Sequence, residues 1–324
     1  MLSRLSFAAC AALAAWAASP AEAPPQAEPL AAMKPVRHRL LEASWAVGSE
    51  PLVLRSEPWF AGAVSSIRFR GVEFIDSSDH GRLLQGAISF GGLGECLNPT
   101  QAGASRDRRG RTTSRLLWAE VTPAGYTTAT RMAFWKRPGE HCRPPGGPDR
   151  SAANATRASD VVYAQRLTFG HRGYANAVEA RITFTTAEDQ QDAVVEALTA
   201  YAPPGFDSFH LFRDGRLMRD DTVASVPGEQ PDPIVLSTAN GASALGFLAL
   251  THGPSPGYGR FTFEDTSKIN LVYRPTGTYP AGRHDYSVVW VIGTRAEVAI
   301  TLRGLTAPPQ ERKGGWTAVG VGRP

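Results

Sequence analysis

Along most of the chain apolar residues recur at every second position in short runs bounded by turn residues, so the sequence reads as strands and turns. In AVEARITFTT, Val178, Ala180, Ile182 and Phe184 share one face while Glu179, Arg181, Thr183 and Thr185 share the other, as a half-buried antiparallel strand requires. In FHLFRDGRLM, Asp214-Gly215 supplies the positive backbone angles of a tight hairpin turn. The same reading places strands at Ala63 to Arg70, Leu116 to Val121, Tyr126 to Phe134, Val161 to Phe169, Ala177 to Thr185 and Ala193 to Tyr201. Further strands are expected at Phe209 to Phe212, Ala244 to Leu250, Arg260 to Phe263, Ile269 to Arg274, Tyr286 to Ile292 and Val298 to Arg303. The fold class is therefore all-β, an antiparallel two-sheet domain over residues 41–306 with very little helix. Arg137 to Asp160, rich in Pro, Gly, Ser and Asn, reads as a long exposed surface loop.

The ends differ in character. Residues 1–23 carry a basic start at Arg4, an apolar run and the small-x-small triplet Ala21-Glu22-Ala23, the pattern of a cleaved signal peptide. Cys10 follows too little apolar sequence to be a lipoprotein anchor. Residues 24–40 read as a flexible lead-in and 307–324 as a C-terminal tail. No later run reaches the roughly 18 apolar residues of a spanning helix. A periplasmic or secreted protein with no transmembrane segment is the expectation.

Charge adds little. The formal charge is +4, and only four of the 34 basic residues are lysines, a bias that speaks of base composition more than of phosphate binding. With no basic helix or recognition module, nucleic acid is not an expected partner. After leader removal Cys96 and Cys142 remain, a single pair in an oxidising compartment, and a disulfide between them is the default reading. Two distant cysteines without CxxC or HExxH spacing make no zinc signature, and no motif calls for a cofactor.

Chemistry concentrates in DHGRLLQGAISFGGLGECLNPT, where His80, Arg82, Gln85, Glu95, Cys96, Asn98 and Thr100 gather around glycines. Burying so many polar groups is costly unless each finds a partner, and a hydroxyl-rich ligand would supply several. His80 beside Asp79 suits proton transfer, or merely fixes a turn. Arg82 offers a rigid fork for a carboxylate or vicinal hydroxyls, or a salt bridge to Asp76 or Asp79. Glu95, among glycines and next to a disulfide cysteine, can act as acid or base, or cap a turn. Gln101 joins Asn98 and Thr100 as a candidate hydroxyl binder. Glu196 lies within VVEALTAY, where strict alternation puts it on a face with Leu198 and Ala200, opposite Val195, Ala197 and Thr199.

The segment GAVSSIRFRGVEFIDSSDHGRLLQ resembles the opening strands of the galactose-mutarotase-like superfamily, large β-supersandwiches that include aldose epimerases and domains of glycoside hydrolases and polysaccharide lyases. The resemblance covers about the first quarter of the mature chain and implies a saccharide ligand. Aldose epimerases present two histidines and a late glutamate to the sugar. His80 matches the first; His171, His210 or His252 would be the second and Glu264 the glutamate, though no motif fixes them. Together these readings give a catalytic set of His80, Glu95 and Glu196, with Arg82, Gln85, Asn98, Thr100, Trp135 and Tyr201 binding substrate. Trp118, Tyr258 and Trp290 are further aromatics, of which Trp290 reads as core. If Arg106 to Arg111 faces the groove, it favours an anionic saccharide such as a uronate polymer. The reading is an exported carbohydrate-active protein working by acid/base chemistry, epimerase-, hydrolase- or lyase-like. Its rivals are a non-catalytic glycan-binding or envelope protein, and a polar segment that only braces the fold. Whether there is turnover, and in what oligomeric state, the residues leave open.

Overall fold

A computed structural model describes residues 39–250, 256–263 and 265–307. The leader with Cys10, the lead-in up to residue 38, His252, Glu264 and the tail from residue 308 lie outside the described residues.

The period-2 pattern is realised as one sheet of 15 described strands, every neighbouring pair antiparallel. From one edge the order is Arg216–Arg219, Phe206–Arg213, Ile234–Thr238, Ala244–Ala249, Gly282–Gly293, Ala177–Thr186 and Ala158–Phe169. It continues through Gly125–Phe134, Pro99–Thr100, Gln85–Ser89, Val194–Ala202, Thr266–Tyr273 and Gly257–Phe263 to Gly228–Gln230, with Arg115–Thr122 paired beside Gly125–Phe134. Strands distant in this order meet again: Ala244–Ala249 packs on Thr266–Tyr273, and Phe206–Arg213 does likewise. The sheet thus bends until its arms face each other, as burying so many apolar faces demands.

A four-stranded sheet of Leu41–Val47, Glu50–Ser56, Ser66–Phe69 and Val72–Glu73 lies on the large one. Its inward residues Ala43, Leu52, Leu54, Ile67 and Phe69 share one core with Tyr126, Phe169, Val178, Phe247 and Trp290 of the large sheet. The hairpin turn is as expected, with Asp214 at φ 50° and Gly215 at φ 72°.

One expectation is overturned and two are extended. Residues expected as a strand at Val298 to Arg303 belong to a helix, Arg295–Thr306. Thr294 and Glu297 form a reciprocal capping box at its start, and Val298, Thr301, Leu302 and Leu305 recur at helical spacing on the buried side. The hairpin Leu41–Val47/Glu50–Ser56 and the strands Gln85–Ser89 and Ile234–Thr238 add to the expected set. The stretch from Arg137 to Asp160 is largely exposed, as expected of a surface loop, and it is braced: His141–Cys142 pairs with Arg150–Ser151, and Ala153 N–H donates to the Cys96 carbonyl at 2.8 Å. The Asn154 amide adds bonds to the carbonyls of Lys136 and Thr156 at 3.1 and 2.8 Å. Among the described residues no helix is long and apolar enough to cross a membrane.

Candidate functional site

The central strands Gln85–Ser89, Val194–Ala202, Thr266–Tyr273 and Gly257–Phe263 turn Ile88, Val195, Leu198, Ala200, Ile269 and Leu271 to the core. Their other face is polar and aromatic. A β-bulge makes it so: Glu196 pairs with Val272 and Leu198 with Leu271, so that Ala197 and Leu198 together oppose one residue of the neighbouring strand. The extra residue resets alternation, and Thr199 and Tyr201 fall on the same side as Glu196. Lys268 stands opposite Tyr201 and Asn270 opposite Thr199, adding two more side chains to that side.

Glu196 is the centre of this group. One of its carboxylate oxygens lies 2.9 Å from Lys268 Nζ and accepts bonds from Thr199 Oγ1 at 2.7 Å and Asn270 Nδ2 at 2.8 Å. Burial pushes the carboxyl up, but the Lys268 charge and these donors outweigh it, and the group titrates at about 2 instead of 4.5. Lys268 is held well above the ordinary lysine range: burial opposes this, and Glu196 overcomes it. The Asn270 Oδ1 is buried and has no partner among the described residues. Gly259 makes room for it, since a Cβ there would sit 1.9 Å from that oxygen.

Beside the ion pair runs a row of rings. Tyr201 stacks on Phe263 with centroids 6.2 Å apart, and Phe263 on Phe261 at 6.1 Å. Lys268 Nζ lies 5.6 Å from the Tyr201 centroid and 5.3 Å from that of Phe261, a cation over two aromatic faces. Phe263 remains 43% exposed although it is large and apolar. At the rim Arg82 faces three carboxylates, Asp76 at 3.3 Å, Asp265 at 3.4 Å and Asp79 at 3.7 Å. A flat apolar surface, a fixed charge pair and a carboxylate-rich edge can hold a polar ring by stacking and hydrogen bonds.

No family model matches the chain, and no curated protein matches it. Among solved structures it is similar to an alpha-galactosidase from Geobacillus stearothermophilus in complex with 1-deoxygalactonojirimycin. That match has 11% identity over 79% of this chain and 41% of that one, with a TM-score of 0.40. A galactose 1-epimerase from Lactobacillus acidophilus matches at 8% identity over 79% of this chain and 99% of that chain, TM-score 0.38. A heparan sulfate lyase mutant from Pedobacter heparinus matches at 7% identity over 78% and 34%, TM-score 0.38. An epimerase, a glycosidase and a lyase are the three kinds of protein that the sequence resemblance implied. At these TM-scores the likeness carries no argument about the site, which rests on its own residues.

Of the residues singled out from sequence, Glu196, Tyr201 and Arg82 lie on or beside this face; Gln85, opposite Thr199, and Thr100, opposite Ala87, point to the same side but are buried with their polar groups engaged, and the others have partners elsewhere. His80 is buried at 3% exposure, its Nε2 facing the carbonyls of Trp59 at 3.1 Å and Arg111 at 2.8 Å. Gln85 is fully engaged, its Nε2 donating to the His80 and Gly81 carbonyls and its Oε1 accepting from Ala102 N–H at 2.9 Å. Thr100 donates to the Gly103 carbonyl at 2.5 Å, and Gln101 accepts from Gly86 N–H at 3.4 Å. Asn98, with its amide nitrogen turned to the Ile88 and Pro99 carbonyls at 2.8 and 3.2 Å, braces the turn after the glycines.

Glu95 points outward, its side chain 60% exposed and 3.6 Å from Lys136 Nζ. The Cys96–Cys142 disulfide is formed and ties its short helical turn to the 137–160 segment. Trp135 is half-buried and lies against Gly81, where a Cβ would meet its ring at 2.8 Å. His171 pairs with Glu179 at 2.9 Å and His210 with Arg295 at 3.3 Å, each apart from Glu196. Trp290 is core, and Tyr258 uses its hydroxyl to accept from Ala249 N–H at 3.0 Å. His80, Glu95 and Glu196 thus have three separate sets of partners.

Sequence reading missed Lys268, Asn270, Thr199, Phe261 and Phe263. A signal was present in the alternation of Phe261 with Phe263 and of Lys268 with Asn270, each pair two apart in or beside an expected strand. Among the described residues no group of three His, Cys, Asp or Glu side chains is placed to hold a metal ion.

Proposed function

We propose that this is an exported protein that binds a saccharide on the face of Glu196, Lys268, Asn270, Tyr201, Phe261 and Phe263. The observation that carries the reading is the row of Tyr201, Phe263 and Phe261 rings, with Phe263 43% exposed, laid beside the Glu196–Lys268 ion pair. Sugar rings offer an apolar C–H face for stacking and an edge of hydroxyls for charged and amide groups, and this face presents both complements. Asn270 Nδ2 donates to the Glu196 carboxylate at 2.8 Å and so fixes the orientation of the group that faces the rings. Export is supported by the leader pattern of residues 1–23 and by the disulfide.

The reading is recognition, not turnover. The lowered Glu196 carboxyl and the raised Lys268 ammonium, each held by the other, favour a fixed ion pair over a proton-transfer pair near neutrality. His80 and Glu95 have their own partners and offer Glu196 no second proton-transfer group. Three carboxylates around the single Arg82 leave the rim negative, which favours neutral or amino sugars over uronates.

The test is calorimetric titration of the protein with neutral, amino and uronate oligosaccharides, alongside product analysis by mass. Binding of a neutral or amino sugar without new products is expected, with affinity lowered at least about tenfold in Phe263→Ala or Tyr201→Ala by the loss of stacking. Binding that survives both substitutions unchanged removes the face from consideration, and released products remove the claim of recognition without turnover.

A further inference from the structure

A concavity opens against the turn that leads into Arg82, lined there by residues 77–80. It is a cleft of about 430 Å³ with Trp59 on one wall, Arg108 and Arg109 on the other, and Asp79 and His80 lining it between them. The walls come from segments distant in sequence, and specific bonds hold them in place. The buried His80 ring reaches a carbonyl of each wall, Trp59 at 3.1 Å and Arg111 at 2.8 Å, and so ties the two together. The Asp107 carboxylate braces the arginine loop by accepting from the N–H groups of Ala104 at 2.8 Å and Thr113 at 2.6 Å. The Arg109 guanidinium lies 5.6 Å from the Trp59 ring centroid. With one indole face covered by the guanidinium, the cleft still presents apolar indole surface, a guanidinium fork and an exposed carboxylate, the apolar contact, donors and acceptor that a sugar uses.

The cleft and the ring row are linked through the ion pairs of Arg82. Asp79, which lines the cleft, pairs with Arg82, and Arg82 pairs in turn with Asp265, two residues beyond Phe263. The backbone closes the same link, since Asp76 N–H donates to the Tyr201 carbonyl at 2.9 Å. One ridge of charged side chains therefore separates two aromatic platforms.

We propose that the Trp59 cleft is a second subsite for the ligand of the sheet face, so that the ligand is an oligosaccharide chain crossing the Arg82 ridge rather than a single sugar. This rests on the reading of the sheet face as a saccharide platform. Two linked subsites act as a bivalent receptor: a chain long enough to reach both gains affinity that a short one cannot, because the second contact is made within the complex.

The experiment uses the full chain and calorimetric titration with cello-, chito- and malto-oligosaccharide ladders from disaccharide to hexasaccharide. Affinity in the binding ladder is expected to rise at least about tenfold with length. Trp59→Ala should abolish that rise while holding disaccharide affinity within about twofold, and Arg109→Gln, at an exposed side chain, should reduce it. Retained disaccharide binding reports that each variant is folded. A wild-type affinity that is flat with length overturns the second subsite and leaves the sheet-face reading standing, as does a length dependence that Trp59→Ala preserves. Absence of binding by every member of every ladder takes down the sheet-face reading and the subsite with it.

Discussion

Glu196 shows how one side chain is decided by its neighbours. Its carboxyl is lowered to about 2, so the ionised form contributes stability above about 4.5 that is lost as the pH falls toward 2. Glu196→Gln should flatten the denaturation midpoint across that window and cost about 3 kcal/mol at neutral pH by leaving the buried Lys268 charge unpaired. Midpoints measured against pH in both proteins check this; parallel curves would place the acid sensitivity elsewhere. Gly259 makes the same point through absence. Gly259→Ala drives a methyl group against Asn270 Oδ1, which must move away from Glu196. Strain of about 1–3 kcal/mol is expected, with weakened binding in calorimetric titration with saccharide. Unaltered binding would show that Asn270 has no part in it.

At the scale of elements, the bulge in Val194–Ala202 and the disulfide do the positioning. The bulge is what sequence alternation could not supply. By strict period-2 counting Glu196 and Tyr201 face opposite ways, and only the doubled residues Ala197 and Leu198 bring them together. The helix Arg295–Thr306 carries a capping box in its sequence, but its apolar run also fits a strand, and short apolar runs are ambiguous by periodicity alone. The disulfide closes a span of 46 residues, and chain-entropy arithmetic gives it about 4 kcal/mol. Cys96→Ala with Cys142→Ala should lower stability by about that much in a denaturant titration while leaving the Glu196 face intact. Binding lost with the disulfide in a protein that is still folded would tie the Glu95 segment to the site.

On the scale of the whole molecule, both sheets share one core, in which Trp290 is fully buried beside Phe247 and Val178. Trp290→Ala should cost about 3–5 kcal/mol. Because that core joins the sheets, calorimetry of the variant should still give a single unfolding transition at lower temperature, and two separated transitions would mean that the sheets unfold independently.

The sequence by itself determined the all-β class, most strand positions, the tight hairpin and the pairing of the two cysteines, because alternation, turn residues and a lone cysteine pair are local or arithmetic properties. It also located a dense polar segment at residues 79–100, yet much of that segment binds itself: Gln85, Thr100 and Asn98 spend their polar groups on nearby backbone. Which polar residues face one another was left to the tertiary structure. Lys268, Asn270, Phe261 and Phe263 sit on one hairpin and join Glu196 only because that hairpin pairs with the strand Val194–Ala202, far earlier in the chain, and a one-residue bulge chooses the side on which they meet. Strand register and bulges are settled by packing over the whole sheet, and no window of sequence contains that information.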